Sequence, residues 1–134
     1  MARFQGSDFA MELPEEYTDE STYAFAFPGR GGFRPSVVVK TARLRAPVEL
    51  GEYALRALEA LPGVEVVLNE ETAYGRRCVY DWGDAGRRIR QVQRHILLAD
   101  PARVVTMTGT TLRELYPQTE AMFEAIFDSY RSLA

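Results

Sequence analysis

The stretch Thr22-Tyr23-Ala24-Phe25-Ala26-Phe27 alternates between small and bulky side chains. Alternation with a period of two is typical of a β-strand, in which successive side chains point to opposite faces of the sheet. We therefore predict a strand over residues 22–27. Its bulky face carries Tyr23, Phe25 and Phe27, and its small face carries Thr22, Ala24 and Ala26.

Strand-like runs continue on both sides of this segment. A glycine- and proline-rich loop is predicted at residues 28–35, and a hairpin turn at residues 83–86. A polar turn at residues 15–21 separates the first two strands. The other predicted strands cover residues 8–13, 36–44, 64–69, 77–82, 88–98 and 103–110.

Two segments change to the period of an amphipathic helix. The first runs from Leu50 to Leu61 and ends at Pro62-Gly63, and the second has Pro117 in its first turn and an apolar stripe from Met122 to Tyr130. The order of elements predicts an α+β fold in one domain over residues 1–134. We expect an antiparallel sheet of about six to seven strands with two helices packed on one face.

The composition excludes several classes of protein. Hydrophobic residues make up 46% and charged residues 26%, which is typical of a folded chain. No run approaches the roughly 20 apolar residues of a membrane span, and residues 1–7 do not resemble a secretory signal. We expect a cytoplasmic protein without direct membrane anchoring. Cys78, the only cysteine, is expected to be a small core residue.

Residues that could carry chemistry are sparse. His95, the only histidine, lies inside a predicted strand, where a structural role is more common than a general base. Neighbouring acidic residues at 15–16 and 70–71 fit solvated turns better than a catalytic pair. Residues 29–32 lack the Lys-Ser/Thr of a phosphate loop. We predict no catalytic residue, metal or cofactor, and no enzymatic activity.

Six arginines on one predicted hairpin raise the question of nucleic acid. Basic and aromatic residues on strands can bind RNA. However, the net charge is -3 and the glycine-aromatic signature of RNA-binding sheets is missing, so we expect no nucleic-acid partner. The six residues are Arg76, Arg77, Arg87, Arg88, Arg90 and Arg94.

The small face of the predicted sheet is the candidate binding surface. If the helices cover the bulky face, short side chains and amides remain on the other face, where a foreign apolar helix can approach closely. A plain solvent face is the alternative interpretation. The candidate helix-binding residues are Thr22, Ala24, Ala26, Val38, Lys40, Ile89, Gln91 and Gln93, with His95 on the same face.

The run from Phe9 to Ser21, Phe-Ala-Met-Glu-Leu-Pro-Glu-Glu-Tyr-Thr-Asp-Glu-Ser, resembles the opening of the DcrB-related family. In that family a short strand, a proline turn and an Asp-x-Ser precede the second strand. Other motifs follow in the family's order over residues 8–132. They are Leu50-x-x-Tyr53, Leu61-Pro62-Gly63, Gly75, Tyr80-Asp81-Trp82, Arg90-Gln91-Val92 and Thr106-Met107-Thr108-Gly109-Thr110.

This resemblance implies a PsbP-like fold, an antiparallel sheet with helices packed against it. Without a signal peptide, the chain is similar to the cytoplasmic Eag chaperones of type VI secretion. Those proteins bind the N-terminal transmembrane segments of effectors, commonly ones with a PAAR domain, and assist their loading onto the secretion spike. The resemblance implies a hydrophobic effector segment as partner and a homodimer that clamps this client. The alternative is an accessory or small-molecule-binding domain of the same fold without a protein client.

The resemblance also assigns roles to some residues. Thr22, Ala24 and Val38 fall at groove positions of the second and third strands, and Gln91 falls at a glutamine that bonds to the client backbone. Thr22 and Ala24 are smaller than the branched residues usual in those chaperones. Ala57 stands where a helix amide is often found.

Overall fold

A six-stranded antiparallel sheet and a separate two-stranded hairpin form the framework of the computed structural model. It describes residues 1–5, 8–16, 22–29, 32–44, 48–83, 86–99 and 102–133. The strands are β1 (Ala2–Gln5), β2 (Ala10–Leu13), β3 (Thr22–Ala26), β4 (Ser36–Arg43), β5 (Glu65–Thr72), β6 (Gly75–Trp82), β7 (Ile89–Ala99) and β8 (Ala102–Leu112). The helices are α1 (Leu50–Glu59) and α2 (Tyr116–Asp128), with a short 3-10 turn, Arg113–Leu115, before α2.

The large sheet has the strand order β3-β4-β8-β7-β6-β5, and every neighbouring pair is antiparallel. The α+β class and the antiparallel sheet predicted from the sequence are confirmed. Strand β1 was not predicted, because its four residues include only one large apolar side chain, Phe4. The strand is recognised in the structure by its antiparallel pairing with β2. The predicted turns at residues 15–21 and 83–86 and the loop at 28–35 extend partly outside the described residues.

Helix α2 packs on one face of the sheet, which we call the α2 face. Phe123 and Phe127 are fully buried there, and they stack with their ring centroids 6.3 Å apart. A Cβ atom built on Gly109 would lie 2.8 Å from the Phe123 ring, so the bare backbone of β8 is what allows the ring to dock. The sheet residues of this core are Val37, Val79, Val92, Val105 and Met107.

Arginines of β6 and β7 fasten α2 to the same face. Arg94 bonds to Glu124 and Asp128 at 2.7 Å each, and Arg77 bonds to Glu124 at 3.1 Å. Arg90 makes a two-point bond to buried Asp81, at 2.7 and 3.0 Å. That bond lowers the pKa of the Asp81 carboxyl, which therefore stays charged. Ion pairs thus surround the apolar core beneath α2.

Helix α1 packs on the opposite face, over β5, β6 and β7. Buried Ala54 and Leu58 contact Cys78 and Tyr80 of β6. Glu49 caps the N-terminus of the helix, because its carboxylate accepts hydrogen bonds from the backbone N–H groups of residues 51 and 52. Cys78 is a small core residue as predicted, with 0% exposure. We call this side of the sheet the groove face.

The two helices therefore lie on opposite faces, whereas we expected both on one face. Residues paired across the strands share a face, so Cys78 under α1 and Val79 under α2 belong to opposite sides. The bulky face of β3 is also not covered: Tyr23 is 59% exposed and Phe25 51% exposed. Alternation along a strand fixes which side chains share a face, but not which helix covers them.

We predict that Gly109→Ala lowers the free energy of unfolding by about 2 kcal/mol, because the new methyl group overlaps the fully buried Phe123 ring. Urea titration at neutral pH measures the change. In a Phe123→Leu background the same substitution should cost clearly less, since the smaller side chain can move aside. An equal cost in both backgrounds would show that the ring is not the obstacle.

A second prediction concerns acid stability. His95 is 1% exposed, and burial lowers its pKa from 6.5 to about 4. The unfolded chain then binds a proton at a higher pH than the folded chain, so stability falls as the pH drops from about 6.5 towards 4. Between pH 7 and pH 5 the loss from this group is about 2 kcal/mol. His95→Gln should lose this dependence in urea titrations at both pH values. An unchanged slope in the variant would contradict the assignment.

Candidate functional site

An open groove of about 420 Å³ lies on the groove face, beside α1. One wall is a stripe of α1 and its C-terminal turn, formed by Tyr53, Ala57 and Leu61. These residues are four apart and therefore lie on one side of the helix. The floor is made of alternate residues of three neighbouring strands. They are Val38, Lys40 and Ala42 of β4, Thr106, Thr108 and Thr110 of β8, and Gln91, Gln93 and His95 of β7.

Three cross-strand polar pairs connect β7 and β8 along this floor. The amide of Gln91 donates to Thr110 at 2.9 Å, and the amide of Gln93 donates to Thr108 at 3.2 Å. Nδ1 of His95 and the hydroxyl of Thr106 are 2.9 Å apart. We call these six residues the floor ladder. These three contacts link the side chains of β7 and β8 along the floor.

The two glutamines differ in which polar atoms of their side-chain amides have hydrogen-bond partners. The side-chain oxygen of Gln91 accepts a hydrogen bond from the indole N–H of Trp82 at 3.1 Å, so both ends of its amide are engaged. The side-chain oxygen of Gln93 has no hydrogen-bond partner among the described residues. Gln93 is therefore the glutamine with an acceptor available to a molecule in the groove.

All eight residues predicted to bind a helix lie on the groove face. The register aligns Thr22 with Lys40 and Ala24 with Val38, and β8 places these residues in line with the floor ladder. Four line the groove: Val38, Lys40, Gln91 and Gln93. Thr22, Ala24 and Ala26 continue the floor to the edge of the sheet, where they are exposed, and Ile89 follows Gln91 towards the far end of β7.

The groove is almost free of charge. Among the described residues that line it, Lys40 carries the only formal charge, because the low pKa of His95 keeps that ring neutral. Beyond Gln91 the groove continues into a smaller hollow of about 230 Å³, lined mainly by apolar groups of Leu61, Pro62, Val64 and Trp82. Such a surface suits an apolar occupant with few polar contacts.

The uncovered part of the groove face is wide enough for one helix. It extends from β7 across β8 and β4 to β3, because α1 lies over β5 to β7. Three strand spacings amount to about 14 Å, compared with about 10 Å for a helix with its side chains. A rod lying there would have α1 on one side and the exposed edge of β3 on the other.

The two residues considered for chemistry, His95 and Cys78, are both buried. The ring of His95 contacts the hydroxyl of Thr106. The ring of Tyr53 lies beside it, with the two ring centroids 5.8 Å apart. Burial raises the pKa of the Cys78 thiol to about 11, so it is protonated at neutral pH. Within the described residues no group of three or more metal-binding side chains is found. No helix in that part of the chain is long and apolar enough to cross a membrane.

Most of the hairpin arginines have acidic or amide partners. Arg77, Arg90 and Arg94 bond to acidic residues on the α2 face, Arg88 bonds to Glu65 at 3.2 Å, and Arg76 bonds to Asn69 at 2.7 Å. The guanidinium group of Arg87 lies over the Phe33 ring. Four of the six arginines, Arg77, Arg88, Arg90 and Arg94, are therefore paired with carboxylates of the protein itself.

Sequence reasoning missed two parts of the groove. The threonines of β8 alternate with Met107 and Gly109, and this period of two was a visible signal that they share one face. The wall of α1 belongs to its apolar helical stripe, of which the resemblance singled out only Ala57. In the structure Ala54 and Leu58 occupy the core under α1, whereas the neighbouring stripe lines the groove.

Two solved bacterial structures share this fold. The first is PA94 of Pseudomonas aeruginosa, which matches with a TM-score of 0.76 and 22% identity. It is described as a protein of unknown function and a putative regulator. The match covers 100% of this chain and 98% of that one. LpqN of Mycobacterium tuberculosis, described as involved in cell envelope biogenesis, matches with a TM-score of 0.54 and 11% identity over 86% and 85% of the two chains. At these identities the likeness concerns the fold.

The sequence itself identifies the family. No curated protein shows significant similarity to the chain. The DcrB family model, in contrast, matches residues 9–129, a range that runs from the start of β2 through the end of α2. It includes every residue of the floor ladder and the wall of α1. The chain belongs to the DcrB family.

Proposed function

We propose that this protein is a non-catalytic chaperone or adaptor that holds an apolar helical segment of another protein in the groove. The observation that carries the proposal is a helix-wide, nearly uncharged strip of sheet that α1 leaves uncovered. Covering apolar surface is worth about 25 cal/mol per Å². A helix that would otherwise aggregate in water gains this stabilisation by lying against the floor and α1.

The proposed client is the N-terminal transmembrane segment of a type VI secretion effector. This finer assignment rests on the resemblance of the sequence to the Eag chaperones, together with the position of Ala24, Val38 and Gln91 on the groove face. The protein would act in the cytoplasm, before the effector is exported. It would release the segment when the effector is loaded onto the spike.

Blocking the floor should abolish client binding. Val38→Arg and Thr108→Arg each place a long charged side chain in the middle of the groove, where an apolar helix would have to desolvate it. Co-expression of a type VI effector's N-terminal segment, fused to a soluble reporter, measures the fraction of reporter that stays soluble. We expect wild-type protein to keep the fusion soluble and both variants to lose at least tenfold in recovered complex.

The matched control is Leu55→Arg, which puts the same charge on the outer side of α1, where Leu55 is 49% exposed. It should bind like the wild type. Equal solubility of the fusion with wild type, groove variants and control would refute the chaperone assignment. A small molecule retained through purification, with no effect on the fusion, would favour the accessory ligand-binding alternative.

The two glutamines give a separate prediction. Gln93→Leu removes the available acceptor and the hydrogen bond to Thr108 but roughly keeps the size of the side chain, so it should weaken the complex about threefold to tenfold. Gln91→Leu leaves the Trp82 indole and Thr110 without their partner, so it should lower the free energy of unfolding as well as the affinity. Titration of the purified segment and urea unfolding measure the two effects. Loss of affinity in the Gln91 variant alone would assign the client contact to Gln91.

A further inference from the structure

The two ends of the groove differ in chemistry. At one end, which we call the charged end, Lys40 aligns across the strands with Thr106 and His95. At the other, which we call the apolar end, Gln91 aligns with Thr110 and the hollow begins. The two rows are about 13 Å apart, because each residue of a strand advances about 3.3 Å.

Helix α1 runs along the groove from the charged end to the apolar end. The ring of Tyr53, in the first turn of α1, lies beside that of His95. Leu61, just after the helix, lines the hollow together with Gln91. A helix in the groove can therefore lie parallel or antiparallel to α1, and the two directions bring opposite ends of that helix to Lys40.

Lys40 has no carboxylate partner within the described residues. None of the ion pairs found there includes it, and its cross-strand neighbours are the hydroxyl residues Thr22 and Thr106. By contrast, carboxylates hold Arg90 and Arg94 at 2.7 Å. An apolar helix lying over Lys40 would remove water from its ammonium group, which costs free energy unless a negative group replaces the water. The charged end is therefore complementary to a client that carries a negative group at this point.

The apolar end fits a large uncharged side chain. The hollow has a volume of about 230 Å³, and the described residues that line it carry no formal charge. Leu61, Pro62 and Trp82 supply most of its apolar surface. This space admits one large apolar side chain, and an aromatic ring would gain burial together with a contact to the Trp82 indole.

We propose that the client helix lies antiparallel to α1, with a large apolar side chain in the hollow and an acidic side chain, about eleven residues later, against Lys40. About eleven residues make about three turns, so both side chains lie on one side of the helix, about 16 Å apart. This length reaches from the hollow, beyond Gln91, to the Lys40 row. In this direction the C-terminal end of the helix, which carries partial negative charge, also lies at Lys40. The proposal rests on the proposed function, because it states which helix the groove selects and in which direction.

The test uses designed segments of leucine and alanine, about 20 residues long, each fused at its C-terminal end to a soluble reporter. The forward segment carries Phe about three turns before Glu, and the reverse segment carries Glu about three turns before Phe, so their compositions are equal. Co-expression with this protein measures the amount of complex recovered. We expect the wild type to hold about fivefold more of the forward segment than of the reverse one. Lys40→Glu should lower recovery of the forward segment about tenfold, and exchanging that segment's Glu for Lys should restore it.

Arg43→Glu is the matched control, because it makes the same change of charge on the same strand but on the α2 face, where Arg43 is exposed. It should hold the forward segment like the wild type, and circular dichroism verifies that each variant is folded. Equal recovery of the forward and reverse segments with the wild type would overturn this proposal and leave the proposed function standing. So would a charge exchange that fails to restore recovery. A wild type that holds neither segment would remove the proposed function, and this proposal with it.

Discussion

The close contact between the Phe123 ring and the bare backbone of Gly109 determines how the rest of the molecule is arranged. It fixes α2 on one face of the central strand β8, and with it the apolar core under that helix. The arginines of β6 and β7 then find their acidic partners on α2. Because α2 occupies the middle of the α2 face, the strands at its margins stay exposed, and Tyr23 and Phe25 of β3 are among the exposed residues.

Of the two described helices, α1 is the one that packs on the other face, and it has only ten residues. Its buried residues Ala54 and Leu58 hold it over β6, so it cannot also reach β4 and β3. A short helix on a six-stranded sheet necessarily leaves several strands uncovered. The groove is thus a consequence of unequal helix coverage rather than of a special loop or insertion.

The sequence predicted much of this arrangement through periodicity. Alternation gave the six strands of the large sheet and placed residues such as Ala24 and Gln91 on one face, since side-chain direction is a local property. It did not predict that the helices take opposite faces, because helix placement depends on long-range packing. Nor did it predict that Trp82 engages the oxygen of Gln91, a contact between strands that no local pattern encodes. The client and the dimer stay predictions.

The floor ladder resolves an apparent contradiction in a groove meant for an apolar helix. Burying a polar group costs free energy only if its hydrogen bonds are lost. The amides of Gln91 and Gln93 each donate one hydrogen bond to a threonine, and a helix lying on them leaves those two bonds intact, while the oxygen of Gln93 can accept a bond from the client. The empty groove meanwhile presents hydroxyl and amide groups to water and avoids the wide apolar patch that makes a surface aggregate. A floor of internally bonded polar side chains can thus be wet when empty and dry when occupied, which is the requirement for holding an apolar segment reversibly.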